Sequence, residues 1–270
     1  MSQFMNAAQD IPRLRFSTDG PLPDIALGRS CARFAEAGVM HFERVLEPDH
    51  VRTLLNDYTL AYAAYHRNIL HANARHVGDR RNMITVAIAG AFNDPLVYAN
   101  PAVMPVIEAL LGAELILGSF VAVTSLPGAA DQDMHLDMPL LFNVNPLGSQ
   151  LPPYCLTLVI PLVEMNAKNG TTAYHPGSHA TVSHEPPATK PVLPEIPPGD
   201  ALLFDCRVWH GGTANRSDEP RPVLYNSYQR PWFRDEVNFN QQVPLQIPAE
   251  EWDRVPDRCR HLFGWSLPVS

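Results

Sequence analysis

Leu202-Leu203-Phe204-Asp205-Cys206-Arg207-Val208-Trp209-His210 alternates in the manner of a buried β-strand. Side chains alternate across a strand, so Leu202, Phe204, Cys206, Val208 and His210 would share one face, with Asp205 and Arg207 on the other. The first face is apolar until its last member. A histidine that ends an inward-facing row at a strand mouth is placed like a ligand; the competing reading is a core histidine bonded to a carbonyl. Beyond it, Gly211-Gly212-Thr213 and Asn215-Arg216-Ser217 make a loop, and residues 221–230 return as a strand. An antiparallel return would carry Arg221 back beside His210.

Strand patterns recur on either side. Residues 115–126 are rich in Val, Ile, Phe and Thr and stop at Pro127-Gly128. Residues 155–163 are almost continuously apolar, as in a strand buried on both faces. Asn169-Gly170 is a hairpin-turn dipeptide, and the proline-rich stretch 186–198 reads as an extended spacer loop. The 27 prolines are spread along the chain, which favours short strands joined by irregular loops. No internal repeat is visible. The expected fold is mainly β with flanking helices: a two-sheet jelly roll, the cupin-like double-stranded β-helix.

The N-terminal part supplies the helices. Residues 1–24 read as an arm with a turn at Asp19-Gly20-Pro21. Ser30 is placed to cap a short helix ending near Gly38, and residues 39–42 form a strand. Pro48 opens a longer helix, in which Val51, Leu54, Leu55, Tyr58, Tyr62 and Tyr65 keep helical spacing to about residue 70. Residues 71–82 are polar and basic and read as a loop. Asn100-Pro101 then opens a helix that Gly112 stops. This gives one domain over residues 1–270: arm 1–24, mainly helical support 25–114, jelly-roll core 115–235 and C-terminal extension 236–270.

Composition narrows the function. A net charge of −8 without clustered Lys/Arg gives no nucleic-acid footprint. No apolar run is long enough for a membrane span, and residues 1–15 contain no hydrophobic signal core. The four cysteines, Cys31, Cys155, Cys206 and Cys259, are far apart, as buried thiols of a reducing compartment would be; a cytoplasmic protein is expected.

A second stretch, Gln132-Asp133-Met134-His135-Leu136-Asp137, answers the first. If extended, it puts His135 and Asp137 on one face, half of a site suited to iron, zinc or manganese; the alternative is a solvated pair. Arg221 cannot ligate a metal, since it stays protonated. It can grip a carboxylate through two parallel hydrogen bonds, or be a loop arginine beside Asp218 and Glu219.

Taken together, His135-x-Asp137, His210 and Arg221 eleven residues later resemble the Fe(II)- and 2-oxoglutarate-dependent oxygenases. Four further features point to the phytanoyl-CoA dioxygenase-like family, over about residues 30–235. They are Asn169-Gly170-Thr171-Thr172 running into Pro176-Gly177-Ser178-His179, Gly199-Asp200-Ala201-Leu202-Leu203-Phe204, His210-Gly211-Gly212, and Asn215. The resemblance implies that His135, Asp137 and His210 hold Fe(II), with three positions left open. It implies that Arg221 binds the distal carboxylate of 2-oxoglutarate. Gln132 and Thr172 match positions that contact this cosubstrate in relatives acting on fungal terpenoids and alkaloids. Arg81 is the nearest candidate for a basic residue that some relatives use upstream.

The implied activity is hydroxylation of a small molecule of secondary metabolism, consuming O2 and releasing succinate and CO2. Asp137 favours oxygenation, because halogenating relatives lack this carboxylate. His179 is expected to be structural and Cys206 to be packing. Met138-Pro139-Leu140-Leu141-Phe142, Trp209, Tyr225, Trp232 and Phe233 could line an apolar substrate pocket or fill the core. Two other readings remain at this point: a cupin-like metalloenzyme that does not use 2-oxoglutarate, and a non-catalytic metal-binding relative.

Overall fold

In the computed structural model, the strands of the two main sheets are, in chain order, β1 (Arg13–Arg15), β2 (Val39–Glu43), β3 (Ala74–His76), β4 (Arg81–Thr85), β5 (Ile116–Ser125), β6 (Cys155–Pro161), β7 (Thr172–Tyr174), β8 (Ala201–Asp205), β9 (His210–Gly212) and β10 (Arg221–Gln229). The structure describes residues 10–15, 24–66, 74–138, 140–142, 144, 147–235, 241–266 and 268–269. The expected turn at Asp19-Gly20-Pro21 and the stretch 67–73 fall outside them.

Eight strands join in the order β1-β2-β8-β6-β10-β5-β4-β3, and β7 pairs with β9 in a second, small sheet. Only β1–β2 is parallel in the large sheet. The two sheets make the jelly roll. Sequence patterning locates β5, β6 and β10 to within a few residues, because long β-branched and aromatic runs fit a pleated, buried surface.

The large sheet has two faces with different duties. On β10, Leu224, Asn226 and Tyr228 point toward helices α1 (Asp24–Ala37), α2 (Pro48–Tyr62), α3 (Pro95–Tyr98) and α4 (Met104–Leu111). Asn226 Nδ2 donates to the Val97 carbonyl at 2.8 Å and the Tyr228 hydroxyl to the Tyr98 carbonyl at 2.9 Å, so these polar groups are satisfied by the helical layer. Phe34, Leu54, Ile107, Leu156, Leu158 and Leu224 are fully buried there. Each contributes on the order of 1.5–3 kcal/mol by leaving water. The opposite face of the sheet meets the small sheet, through Val159, Leu202, Phe204, Tyr174, Val208 and Val223 at one end and a cavity at the other.

Several expectations are corrected. The stretch 202–210 is not one strand: β8 stops at Asp205, the chain turns, and β9 resumes at His210. The turn is clamped by a buried ion pair two residues apart. Arg207 donates to the Asp205 carboxylate from Nε at 2.8 Å, Nη2 at 2.7 Å and its backbone N–H at 3.0 Å. Leu202, Phe204 and Val208 still share the inter-sheet core, but Cys206 is diverted to a separate cluster with Cys155, Met138, Tyr154 and Phe233. Arg207→Met strands a buried carboxylate, so the expected loss is about 3–5 kcal/mol, read as a fall in the urea midpoint.

Residues 71–82 do not form a loop throughout. β3 lies at 74–76, and β4, which opens at Arg81, is hydrogen-bonded to β5. Polar composition misleads here because one side of this edge faces a polar cavity. Helix α1 begins at Asp24, well before Ser30, whose hydroxyl instead donates to the Ala26 carbonyl within the helix at 2.9 Å. Helix α2 ends at Tyr62 and tightens into a 3-10 turn over Ala63–His66, short of residue 70. The proline-rich stretch is more than a spacer. Tyr174 and Val192 exchange backbone hydrogen bonds at 2.9 and 2.8 Å, and Ile196, fully buried, bonds with Met165. No helix among the described residues is long and apolar enough to cross a membrane.

Candidate active site

The two histidines are brought together by backbone, not by side chains. His135 N donates to the His210 carbonyl at 2.8 Å and His210 N to the His135 carbonyl at 3.0 Å, an antiparallel bridge that sets the imidazoles side by side with centroids 4.6 Å apart. Gln132 extends the seam: its N–H bonds the Gly212 carbonyl at 2.8 Å, and its Oε1 accepts from Gly212 N at 2.9 Å. Stretch 132–137 is thus stitched to β9 but is not a strand. Asp137 lies on a bend beyond the bridge, so its place beside the histidines comes from that bend and not from strand alternation.

One nitrogen or oxygen from each of His135, Asp137 and His210 lies within 4.8 Å of the others, and no other such trio occurs among the described residues. The His210 Nε2 to Asp137 Oδ1 separation is 3.3 Å. Each imidazole uses its other nitrogen locally. His135 Nδ1 bonds the Asp133 carbonyl at 2.8 Å and His210 Nδ1 the Val208 carbonyl at 2.9 Å, in both cases two residues back. A carbonyl can only accept, so each Nδ1 carries a proton and each Nε2 is left facing the centre, the usual arrangement of metal-ligating histidines. The His210 ring is further held by Phe204 and Tyr174, with centroids at 4.7 and 6.0 Å.

The electrostatics suit a cation. Burial by itself would raise the Asp137 carboxyl, but the neighbouring His210 and His135 outweigh it and hold it below the ordinary carboxylate value. Burial and the adjacent His210 push His135 down, which keeps its lone pair free at neutral pH. Burial also opposes charge on His210, and the Asp137 carboxylate overcomes it and raises the imidazole.

Arg221 is buried, and its Nε and Nη1 have no hydrogen-bond partner. Burial lowers its pKa; Tyr225 opposes that shift, and a second guanidinium, Arg81, adds to it. The two arginines flank Ser125 in register, Arg81 from β4 and Arg221 from β10. Arg221 therefore faces the histidines across the sandwich and does not hairpin back beside His210, since β10 pairs with β5 and β6 and not with β9. Arg81 is differently employed: its Nη2 donates to the Gly212 and Thr213 carbonyls at 3.3 and 2.7 Å, its Nη1 to the Ala130 carbonyl, and its buried Nε has no partner. Thr172 Oγ1 lies 3.4 Å from the Tyr225 hydroxyl.

A cavity of about 390 Å³ opens beside the trio, bordered by Gln132, His135, Asp137, Thr172, His210 and Tyr225; Arg81 and Arg221 do not line it. Of the aromatic and apolar candidates, Met138 and Tyr225 reach it. Leu141, Phe142 and Trp232 are exposed, Trp209 and Phe233 are buried outside it, and Pro139 lies outside the described residues. His179 stands apart, bonded to the Ala35 carbonyl at 3.1 Å. The cavity is more polar than the sequence suggests: Ser119, Thr157, Ser227 and Gln242 also line it. Their signal was a shared parity of hydroxyl residues on three separate strands, legible only once the register is known.

Comparison with known proteins agrees with this geometry. The phytanoyl-CoA dioxygenase (PhyH) family profile matches residues 34–223. Dioxygenase af480 of Aspergillus fumigatus is 29% identical over 153 residues, covering 55% of this chain and 48% of that protein. The Fe(II)/2-oxoglutarate-dependent dioxygenase nvfF of Aspergillus novofumigatus is 32% identical over 142 residues, covering 52% of this chain and 45% of that protein. The chain thus aligns with about half the length of the curated relatives it matches. Among solved structures, the epimerase SnoN in complex with Fe3+, alpha ketoglutarate and nogalamycin RO superposes with a TM-score of 0.59 at 20% identity, covering 82% of this chain and 91% of that one, a likeness of fold. With the family profile spanning well over half of its residues, the chain belongs to the phytanoyl-CoA dioxygenase family.

Proposed function

We propose that this protein is an Fe(II)- and 2-oxoglutarate-dependent dioxygenase that hydroxylates a C–H bond of a small natural-product-like molecule, releasing succinate and CO2. The observation that carries this reading is a His-Asp-His donor trio within 4.8 Å, sharing one fold interior with a buried guanidinium whose Nε and Nη1 are unpaired. Two imidazoles and one carboxylate fit ferrous iron with positions left open. The orphaned cation fits a dicarboxylate cosubstrate, since an unpaired buried charge is costly until an anion meets it. That same cation has no purpose in a metalloenzyme without 2-oxoglutarate, or in a non-catalytic relative.

Bound iron, with 2-oxoglutarate and O2, supplies the oxidation of an unactivated C–H bond. The chain's own residues do the rest. His135, Asp137 and His210 would hold the metal, with the Nδ1 of each imidazole engaged by the Asp133 and Val208 carbonyls. Arg221 grips the distal carboxylate, and Thr172 and Tyr225 offer hydroxyls beside it. Gln132 acts by pinning the ligand stretch to Gly212 while lining the cavity. Arg81 organises three carbonyls around the anion pocket and adds positive potential without direct contact.

The test is anaerobic addition of Fe(II) and 2-oxoglutarate, which should produce the weak visible charge-transfer band of their complex. Natural-product-like compounds are then screened in air for stimulated succinate release and for a product heavier by one oxygen atom. No band with the intact protein would sink the reading; a product without added oxygen would sink the hydroxylation.

A further inference from the structure

The cavity face of the large sheet is a ladder of paired residues, and its two ends differ. At one end Arg81 and Arg221 flank Ser125; at the other Ser119, Ser227 and Thr157 lie abreast on β5, β10 and β6. Six residue steps along β10 separate Arg221 from Ser227, about 20 Å at 3.3–3.4 Å per residue. A 2-oxoglutarate anchored on Arg221 and reaching the metal cannot extend to that second end. Ser227 and Gln242 also lie beyond residue 223, where the family match stops.

The hydroxyl row is built to present donors. Gln242 Nε2 donates to Ser119 Oγ at 3.0 Å, so the Ser119 proton remains available to an acceptor. Thr157 Oγ1 is 3.5 Å from Ser227 Oγ, a contact too long to occupy either hydroxyl fully. Directly beyond the row the β10–β5 register shifts at Ser227/Tyr228. Gly118 is the residue passed over, and a Cβ there would meet the Gln229 side chain at 2.4 Å. Beside the bulge lies a second chamber of about 70 Å³, with Leu117, Val243, Pro244, Leu245 and Trp265 on its apolar side, Gln229, Asp235 and Ser266 on its polar side, and the same Ser119, Ser227 and Gln242 at its border. Hydroxyl donors therefore stand between the metal side and a chamber whose apolar wall comes mostly from the C-terminal extension, with the Asp235 carboxylate bordering both cavities.

We propose that Ser119, Ser227 and Thr157 form the subsite that orients the substrate, by taking the carbonyl oxygen of a neutral, mostly apolar molecule whose far end enters the Trp265 chamber. Hydroxyls match a neutral acceptor, which needs no counter-ion, and a bond at the throat fixes which carbon faces the metal. This rests on the dioxygenase reading for what happens to the molecule, but not for its binding.

The test uses the full chain with Fe(II) and 2-oxoglutarate under anaerobic conditions and two matched probes. Sclareolide, a tricyclic lactone, carries the carbonyl; ambroxide, the corresponding cyclic ether, lacks it. Calorimetric titration should show the lactone bound more tightly. Ser119→Ala and Ser227→Ala should each weaken the lactone about tenfold, the loss of one hydrogen bond, with little effect on the ether. Ser119→Thr should keep the lactone preference. Trp265→Ala should weaken both probes alike. Thermal melts identify any variant that fails to fold, and the serine on the partner strand then carries the test. Equal affinity for the two probes, no binding of either, or lactone affinity unchanged in both alanine variants overturns the proposal. The outcomes separate cleanly. A missing charge-transfer band in the wild-type protein defeats the dioxygenase reading, whereas hydroxyl-dependent lactone binding without that band would leave the subsite standing.

Discussion

Asp137→Ala is expected to abolish 2-oxoglutarate turnover while leaving the protein folded. Asp137 is the better choice for this test than either histidine because its side chain is 29% accessible, so truncation leaves no buried void. Its contact with His210, at 3.3 Å, joins a partly exposed carboxylate to a buried imidazole. Losing that contact should cost about 1–3 kcal/mol, a fall of several degrees in melting temperature that leaves the fold intact. Metal affinity should respond far more. Residues that merely orient ligands cost about 10–100-fold when lost, so removing the single anionic ligand should exceed that range. The charge-transfer band should be missing at iron concentrations that saturate the wild-type protein, and succinate release should fall to background. Retained turnover with Asp137→Ala would mean that the three residues do not form the metal centre. His210→Ala would be harder to interpret, since its ring also packs on Phe204 and Tyr174.

Arg221→Met separates binding from stability in the opposite direction. In the metal-free protein the guanidinium is buried, near Arg81 and with two nitrogens unpaired, a destabilising arrangement. Methionine keeps much of its volume without the charge. The urea midpoint of the variant should therefore match or exceed that of the wild-type protein. Affinity for 2-oxoglutarate should fall by about 30-fold to several thousand-fold, the range for truncating one partner of a buried charge pair, about 2–5 kcal/mol. Iron binding should persist, and Arg221→Lys should recover only part of the affinity because a point charge cannot make the bidentate grip. Titration of the band with 2-oxoglutarate checks the affinity and urea unfolding checks the stability. A variant that unfolds, or that binds 2-oxoglutarate normally, would make Arg221 a structural residue.

Much of the architecture was legible because its signals are local. β5 and β6 announce themselves as apolar runs, and the helices over 48–62 and 104–111 by their spacing and by Pro48 and Gly112. What failed locally failed for physical reasons. The continuous alternation of 202–210 conceals a turn, because Asp205 and Arg207 read equally well as an outward-facing pair and as a clamp. Residues 74–76 and 81–82 read as loop in sequence because polar side chains on a cavity wall look the same there as polar side chains in water.

By itself the sequence determined the chemistry on offer: two imidazoles, a carboxylate and an arginine, in an order that a jelly roll can gather. Those are properties of residue type and spacing, which local rules read. The tertiary structure alone decided how they meet. The His135–His210 backbone bridge, the bend that swings Asp137 inward, and the placing of Arg221 across the sandwich all depend on pairings between segments far apart in the chain. The hydroxyl row of Ser119, Ser227 and Thr157 exists only in a particular register, and a one-residue slip would turn one of its members toward the helices.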